Sequence, residues 1–530
     1  MAAFLRSIAH PPKYLTASLV VSLGGLLNGL DTGTIGVVTT MAAFDSKFGT
    51  LSSSIHGIVV SSVLLTAAVG SLFAGSISDG LGRTRAIAIG ALIFGVGAAL
   101  EAGAANLGMF IGGRCVVGIG EGVFFSTLVV YICEISPPTK RGPLASTVQL
   151  LITLGICLGY FICYGTTNIN SSLAWRLPLA LQAVIALALA VMSYLYLPPS
   201  PRWLAYKGRK EEASVTWDQL GVSGAEREKD LLQNPTLQEP SVLQSIANQK
   251  TLIGAARRNI INAADKFGKE SRMQVFLAIF LMSMQQLSGI DGVLYYAPLL
   301  FQQAGISSKQ ASFLASGVSA ILIFVSTIPA FLLADKWGRR SSTLYGGLVI
   351  SGCMLLIGSL YASDSVHSTY GVGRWIVIIT IYVFVIGYCM TWAVGVKIYA
   401  SEIQPVKSRA TATALAQTAN CITNFFVAFI TPVLLAKSSF GIYFLFGGAS
   451  ILTVGVCVLF MPETRGRSLE SIGEAFIAHK AADMSLVRLI RGLSSRLRMT
   501  TRKEREPGVL HGASDSDGVE LVTMGGVAGT

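Results

Sequence analysis

Twelve long apolar segments constrain the fold of this chain more than any other feature of its sequence. An apolar run of about 18 residues is long enough to cross the hydrocarbon core of a bilayer as a helix. The runs, numbered as spans 1 to 12, cover 15–37, 55–78, 86–104, 108–131, 144–166, 177–197, 274–302, 311–334, 342–361, 374–399, 411–435 and 439–461. Only 13% of the residues are charged, about half the share of a soluble domain. We therefore predict an all-α membrane protein.

The basic residues predict the orientation of these spans. All but seven of the 40 Lys and Arg lie in the N-terminal segment, in loops after even-numbered spans, or in the C-terminal tail. Positive residues stay on the cytoplasmic side of a membrane, so we expect both termini to be cytoplasmic. The net charge of +12 then reflects topology, and no aromatic residues interleave with it in a way suited to nucleic acid.

Two charged loop motifs occur once in each half of the chain, at nearly constant offset. The copies after spans 2 and 8 are Asp79 to Arg83 and Asp335 to Arg339, and those after spans 4 and 10 are Glu134 with Arg141 and Glu402 with Arg409. Such an internal repeat predicts two pseudo-symmetric six-helix bundles, the architecture of a transporter that rocks around a site at the membrane midplane.

The spans and the polar stretches between them predict five regions. We expect a cytoplasmic N-terminus over 1–14, six-helix bundles over 15–197 and 273–461, a cytoplasmic linker with short helices over 198–272, and a cytoplasmic tail over 462–530. The end of the tail is rich in Gly, Ser and Asp, a composition typical of disorder.

Three further motifs identify a family. They are Pro198 to Trp203 after span 6, Gln285 to Ile290 in span 7 and Pro462 to Gly466 after span 12. Together with the repeated loops they resemble the sugar porter family of the major facilitator superfamily, in particular its fungal-type proton/sugar symporters, over nearly the whole of 15–475. Pro199 departs from the family, which has Glu there. The resemblance implies the major facilitator fold, alternating access and a sugar-like substrate between the halves.

Charged residues within spans need a reason, because each costs about 2.5–3.5 kcal/mol at a helix centre. Proton-coupled members similar to this chain carry Asp and Arg at the positions of Asp31 and Arg114, which implies a proton-coupling pair. A fixed structural pair is the alternative. Glu121 lies nearly two turns after Arg114 on the same face. It is interpreted as a second proton site, a substrate contact or a carboxylate bonded to a neighbouring helix.

Asp291 and Lys397 depart from the family at positions where relatives contact the sugar. The family commonly has Asn in place of Asp291 and Trp in place of Lys397. Lys397 could bind an anionic substrate such as a uronate, or the two residues could neutralise each other and leave a neutral substrate, because buried charges are usually paired.

Amide side chains match other sugar-contact positions of the family. Amides suit vicinal hydroxyls because each offers a donor and an acceptor. The predicted substrate-binding amides are Gln149, Gln285, Gln286, Asn420 and Asn424. Ile323 stands where relatives carry Asn, which removes one polar contact of an ordinary hexose site.

Two further groups are expected to act as gates. Tyr295 and Tyr296 lie between Gly292 and Pro298, which would let span 7 break over the substrate. The family's cytoplasmic salt-bridge network implies a latch that closes the inner gate, formed by Asp79, Arg83, Glu134, Arg141, Asp335, Arg339, Glu402 and Arg409.

These features predict a secondary active importer of a sugar or sugar acid, driven by a proton gradient and without a cofactor. It would act as a monomeric unit in the plasma membrane. The alternatives are a facilitator, an exporter of a hydroxylated metabolite, or a non-transporting nutrient sensor. We find no nucleophile–base set, metal cluster or phosphate loop, so we predict neither an enzyme nor a metal site. Asn170 begins a weak glycosylation sequon.

Overall fold

The fold is helical in every element that the structure describes. A computed structural model describes residues 12–137, 140–222, 272–306, 309–333, 337–367, 371–404, 409–465 and 476, without the side chains of 309–314, 409–411 and 414. Over these residues all regular structure is α-helix. Twelve segments are long and apolar enough to cross a membrane, which confirms the predicted class.

The spans keep the numbers given above. Their bounds are Lys13–Val38, Ser53–Leu81, Arg83–Ala102, Leu107–Ile135, Arg141–Thr166, Leu173–Leu195, Arg272–Tyr295, Ala315–Leu333, Arg339–Ala362, Gly373–Glu402, Leu415–Lys437 and Gly441–Phe460. The helices that contain spans 8 and 11 begin earlier, at Lys309 and Arg409. Shorter helices cover Ala42–Phe48, Pro201–Tyr206, Lys210–Leu220 and Ala297–Gln303.

The packing partners of the spans repeat from one half to the other. Span 1 packs against span 5 as span 7 packs against span 11, and span 3 packs against span 6 as span 9 packs against span 12. Between the halves, the most extensive pairings are span 2 with span 11 and span 5 with span 8, which exchange under the same shift of six spans. The two pseudo-symmetric six-helix bundles are therefore confirmed.

Spans 1 and 5 approach each other closely enough to require glycine. A methyl group added to Gly29 would lie 2.0 Å from the carbonyl oxygen of Ile152. One added to Gly155 would lie 2.3 Å from the carbonyl oxygen of Leu26. This backbone contact fixes the position of span 1, and with it the position of Asp31. Small residues at helix crossings are typical of membrane proteins.

Span 7 breaks at Gly289, three residues before the glycine that the sequence singled out. Gly289 has a φ of +88°, and a methyl group there would lie 2.1 Å from the ring of Phe446. Gly292 instead lies inside the helix Ile290–Tyr295, which ends before a third helix that begins at Ala297 with Pro298 in its first turn. The predicted span over 274–302 therefore consists of three consecutive helices, with the first break at Gly289 and not at Gly292.

The predicted linker contains the two helices Pro201–Tyr206 and Lys210–Leu220. The first is capped by Ser200, whose hydroxyl accepts a hydrogen bond from the amide of Trp203 at 3.2 Å. The predicted N-terminal segment up to residue 11, most of the linker (223–271), and the tail beyond 465 except residue 476 lie outside the described residues.

Two glycines of span 5 give a matched test of the close packing. We expect Gly155→Ala to lower the unfolding temperature in detergent, because spans 1 and 5 must move apart at a cost of about 1–3 kcal/mol. Gly165→Ala should be neutral or slightly stabilising, since no atom lies within 4 Å of the added methyl group. Equal unfolding temperatures for the two variants would contradict the contact.

Candidate functional site

A cavity of about 140 Å³ lies between the two bundles. A single buried water needs about 10–15 Å³ on this measure, so the cavity is large enough for a small solute. The predicted site residues that line it are Asp31, Glu121, Gln149, Gln286, Asp291, Tyr295, Lys397, Asn420 and Asn424. Ile323 lines it as well.

One wall of the cavity contains a buried ionic group. Arg114 is wholly buried, and its Nη1 donates to Oδ1 of Asp31 at 2.6 Å. The same Nη1 lies 3.9 Å from Oε2 of Glu101, and Nη2 donates to the carbonyl of Val60 at 3.3 Å. The structure therefore brings Asp31 and Arg114 into contact, and it adds a second carboxylate to the pair.

Glu121 occupies the cavity beside this group. It accepts a hydrogen bond from the amide nitrogen of Asn28, on span 1. It faces the cavity with an exposed fraction of 8%. The contact matches the interpretation of a carboxylate bonded to a neighbouring helix, and the position on the lining also leaves it within reach of a solute.

Lys397 reaches from span 10 across the cavity to the other bundle. Its Nζ donates to Oε1 of Gln149 on span 5 at 3.1 Å. In the described part of the chain no carboxylate lies within 4.0 Å of this ammonium. Asp291 is a charged neighbour of Lys397 at longer range, and the amide of Asn424 lies beside its carboxylate. The two departures from the family therefore share one cavity without forming a direct pair.

The two glutamines of span 7 have different environments. Gln286 lines the cavity and donates to Oδ1 of Asn420 at 3.1 Å, while Asn420 donates to the carbonyl of Met282 at 2.8 Å. Gln285 has no exposed surface and donates to the carbonyl of Trp392 at 2.8 Å. Gln285 thus lies outside the cavity lining, contrary to its predicted place among the substrate contacts.

The charged loops form ion pairs inside each bundle. Arg83 contacts Asp79 at 2.7 Å and Glu134 at 3.0 Å. Arg339 contacts Glu402 at 3.1 Å in the other bundle. Arg141 donates to the carbonyl of Cys133 at 2.9 Å. Asp335 and the side chain of Arg409 lie outside the described residues.

The bundles also touch at the far end, meaning the ends of the spans opposite these charged loops. The backbones of Gly36 and Tyr295 are so close that a methyl group on Gly36 would lie 1.9 Å from the Tyr295 carbonyl oxygen. His56 packs edge-on against Tyr296 with ring centroids 5.3 Å apart. Tyr296 is 2% exposed and donates to the carbonyl of Ala428 at 2.8 Å. Tyr295 thus lines the cavity, whereas Tyr296 packs in the contact between the bundles at the far end.

Several residues of the site escaped sequence reasoning. They are Asn28, Glu101, Tyr388 and Gln417. A charge inside the predicted span 86–104 was a signal that could have singled out Glu101. The other three are uncharged, and only the three-dimensional arrangement distinguishes them. Asn170 is exposed in the short loop between spans 5 and 6.

Comparison with known protein families establishes the family to which this chain belongs. The family described as "Sugar (and other) transporter" matches residues 17–476. The chain belongs to this sugar transporter family. Because that family consists of transporters, this sugar transporter is an integral, multi-pass membrane protein and not an enzyme.

Known relatives agree along most of their length. The sugar transporter is 30% identical to the high-affinity glucose transporter of Kluyveromyces lactis over 492 residues, which cover 89% of this chain and 87% of the relative. It is 31% identical to the arabinose-proton symporter of Escherichia coli, covering 87% and 93% of the two chains.

Solved structures show the same fold. The proton:xylose symporter XylE bound to 6-bromo-6-deoxy-D-glucose is 24% identical with a TM-score of 0.70, and the alignment covers 88% of this chain and 99% of that one. The inward-open xylose transporter XylE from E. coli is 25% identical with a TM-score of 0.65, covering 87% and 100%.

The ionic group predicts a stability effect at Arg114. We expect Arg114→Met to lower the unfolding temperature and the yield of folded sugar transporter strongly, because Asp31 and Glu101 would remain buried without a cation, at a cost of about 3–5 kcal/mol. Arg114→Lys retains the charge, so its unfolding temperature should fall less than that of Arg114→Met. Thermal unfolding in detergent measures both, and a Met variant as stable as the Lys variant would contradict the ion group.

Proposed function

We propose that this transporter imports a sugar or sugar-like solute by proton symport and alternating access. It acts at the plasma membrane as a monomeric transport unit, with both termini cytoplasmic and with a proton gradient instead of a cofactor as its energy source. The principal substrate class is a neutral monosaccharide. The observation that carries the proposal is the contact between Asp31 and Arg114 in the wall of the cavity.

The pair can couple a proton to the solute because one of its members is accessible from the cavity and the other is not. Asp31 lines the cavity, whereas Arg114 lies behind it and has no exposed surface. A proton that enters with the solute reaches Asp31 first. Protonation removes the negative charge that holds Arg114, so the contact weakens and span 1 is free to move relative to span 4.

The amides give a sugar partners in both bundles. Gln149 belongs to the first bundle, and Gln286, Asn420 and Asn424 belong to the second. Each amide can donate to one hydroxyl and accept from another. A solute bound to both sets draws the bundles together, which is what alternating access requires.

The far-end contacts and the charged loops serve as the two gates in this proposal. His56, Tyr296 and the Gly36–Tyr295 contact close the far end, which the distribution of basic residues assigns to the outside. The pairs Arg83–Glu134 and Arg339–Glu402 hold the cytoplasmic helix ends of each bundle as rigid units. We propose that the same side chains form contacts between the bundles when the cytoplasmic gate closes.

Asp31→Asn tests the coupling directly. We expect the wild type to accumulate sugar in vesicles only with a pH gradient, acid on the side from which the sugar enters. Asp31→Asn should lose this accumulation, at least about 10-fold, because it cannot release a proton. It should still exchange labelled sugar between equal concentrations, which needs no net proton movement.

If uptake by the wild type does not depend on the pH gradient, the protein is a facilitator and not a symporter. No binding or uptake of any sugar would favour the nutrient sensor. The conservative variant Asp31→Glu serves as the control, since it keeps an ionisable group and should retain part of the accumulation.

A sugar acid is the second candidate substrate, and Lys397 favours it. The ammonium lines the cavity with an amide and not a carboxylate as its contact. Three carboxylates on the same lining argue against a sugar acid: Asp31, Glu121 and Asp291. An anionic solute would add a further negative charge to this group, so the cavity favours a neutral sugar.

Lys397→Trp separates the two substrates. We expect the ratio of uptake rates for a neutral hexose and its uronate to change less than about threefold. If Lys397 binds a carboxylate, losing this charge-assisted contact would cost about 1.5–3 kcal/mol and lower uronate uptake roughly 10- to 100-fold. Lys397→Met, which keeps the chain length without the ring, controls for the size of Trp.

A further inference from the structure

Glu101 is a buried carboxylate outside the cavity, and nothing in the proposed transport cycle uses it yet. It lies at the end of span 3 and is only 1% exposed. Neither of its carboxylate oxygens has a hydrogen-bond partner in the described part of the chain. Its nearest opposite charge is Nη1 of Arg114, 3.9 Å from Oε2. A buried carboxylate so poorly satisfied needs a reason, because such groups destabilise the fold unless paired.

The arrangement holds Glu101 next to Arg114 but just beyond a hydrogen bond. Gly113 makes room for it, since a methyl group on Gly113 would lie 2.7 Å from Cγ of Glu101. Asp31 occupies the same Nη1 at 2.6 Å. The guanidinium therefore lies between two carboxylates, bonded to one and within ion-pair distance of the other.

We infer that Glu101 is a positioning residue that receives Arg114 when Asp31 is neutralised. In this step a proton from the cavity binds the Asp31 carboxylate, the contact between Asp31 and Arg114 breaks, and the guanidinium moves about 1 Å to bond with Glu101. Arg114 thus never stays buried without an anion. No covalent bond changes except the one between the proton and its carriers. The inference rests on the proposed symport.

Other charged and titratable groups lie around Asp31, Arg114 and Glu101. Arg176 on span 6 reaches the same region, but its guanidinium donates to the carbonyls of Ala102 and Ala104 at 2.8 and 3.0 Å. Tyr295 on span 7 and Glu121 on span 4 also interact electrostatically with Arg114. In the described part of the chain, however, Asp31 and Glu101 are the carboxylates within 4.0 Å of its guanidinium. Glu101 is therefore the carboxylate placed to replace Asp31.

A thermal-stability cycle tests the handover without any transport measurement. Asp31→Asn leaves Arg114 with Glu101, and Glu101→Gln leaves it with Asp31. The double variant leaves it with neither. We expect the unfolding temperature of the double variant to fall by more than the sum of the decreases in the two single variants. Glu101→Asp in the Asp31→Asn background should recover part of that loss. Additive losses would overturn the inference.

The pH profile of uptake is the second readout, and a purely structural role would not move it. Glu101→Gln makes Asp31 the sole anion for Arg114, so protonating Asp31 becomes harder. Half-maximal uptake should shift to lower pH by about 1 unit or more. Glu211→Gln, at an exposed position outside the spans, is the matched control and should leave the profile unchanged.

The two readouts keep this inference separate from the symport itself. An unchanged profile in Glu101→Gln, beside a pH-dependent wild type, would overturn the handover whatever the stability cycle shows. Uptake by the wild type that does not depend on pH would remove the symport, and the stability cycle alone would then decide whether Glu101 shares Arg114.

Discussion

A guanidinium that lipid and protein seal from water must have an anion beside it, and much of this structure follows from that constraint on Arg114. Its partner Asp31 lies on span 1, which the glycine contacts with span 5 hold in place. The charge cannot leave the membrane, so the spans must arrange themselves around it. In the proposed symport, the same pairing that stabilises the bundle makes it sensitive to a single proton, because a neutral Asp31 no longer satisfies Arg114.

The repeated architecture gives this sensitivity a mechanical consequence. Spans 2 and 11, and spans 5 and 8, form the main contacts between bundles, and each pair exchanges with the other under the pseudo-symmetry. Close helix packing and the ion pairs of Arg83 and Arg339 hold the spans of each bundle together. The proposed alternating access then concentrates relative motion at the interface that contains the cavity. A change in the wall of the cavity can therefore act on the whole transporter.

The spans and the two bundles could be predicted from the sequence, because apolar length and repeated loops are properties of the chain alone. The finer geometry could not. Gln285 and Gln286 are adjacent, so their side chains point about 100° apart on a helix, and only packing decides which one faces the cavity. The break in span 7 lies at Gly289 because Phe446, far along the chain, occupies the space of a side chain there. The burial of Glu101 is explained by its contact with Arg114, and no spacing in the sequence predicts that contact. The roles of all these residues in transport stay predictions.

The charges in and behind the cavity also bear on the proposed symport. Four carboxylates, those of Asp31, Glu101, Glu121 and Asp291, face two cations, Arg114 and Lys397. Buried charges without counterions are costly, so the carboxylates in excess of the cations need a compensating positive charge. A neutral sugar can enter such a site without changing its charge, whereas an acid would require yet another positive charge. In the proposed symport, the chemistry of the cavity therefore links the identity of the solute to the number of protons that accompany it.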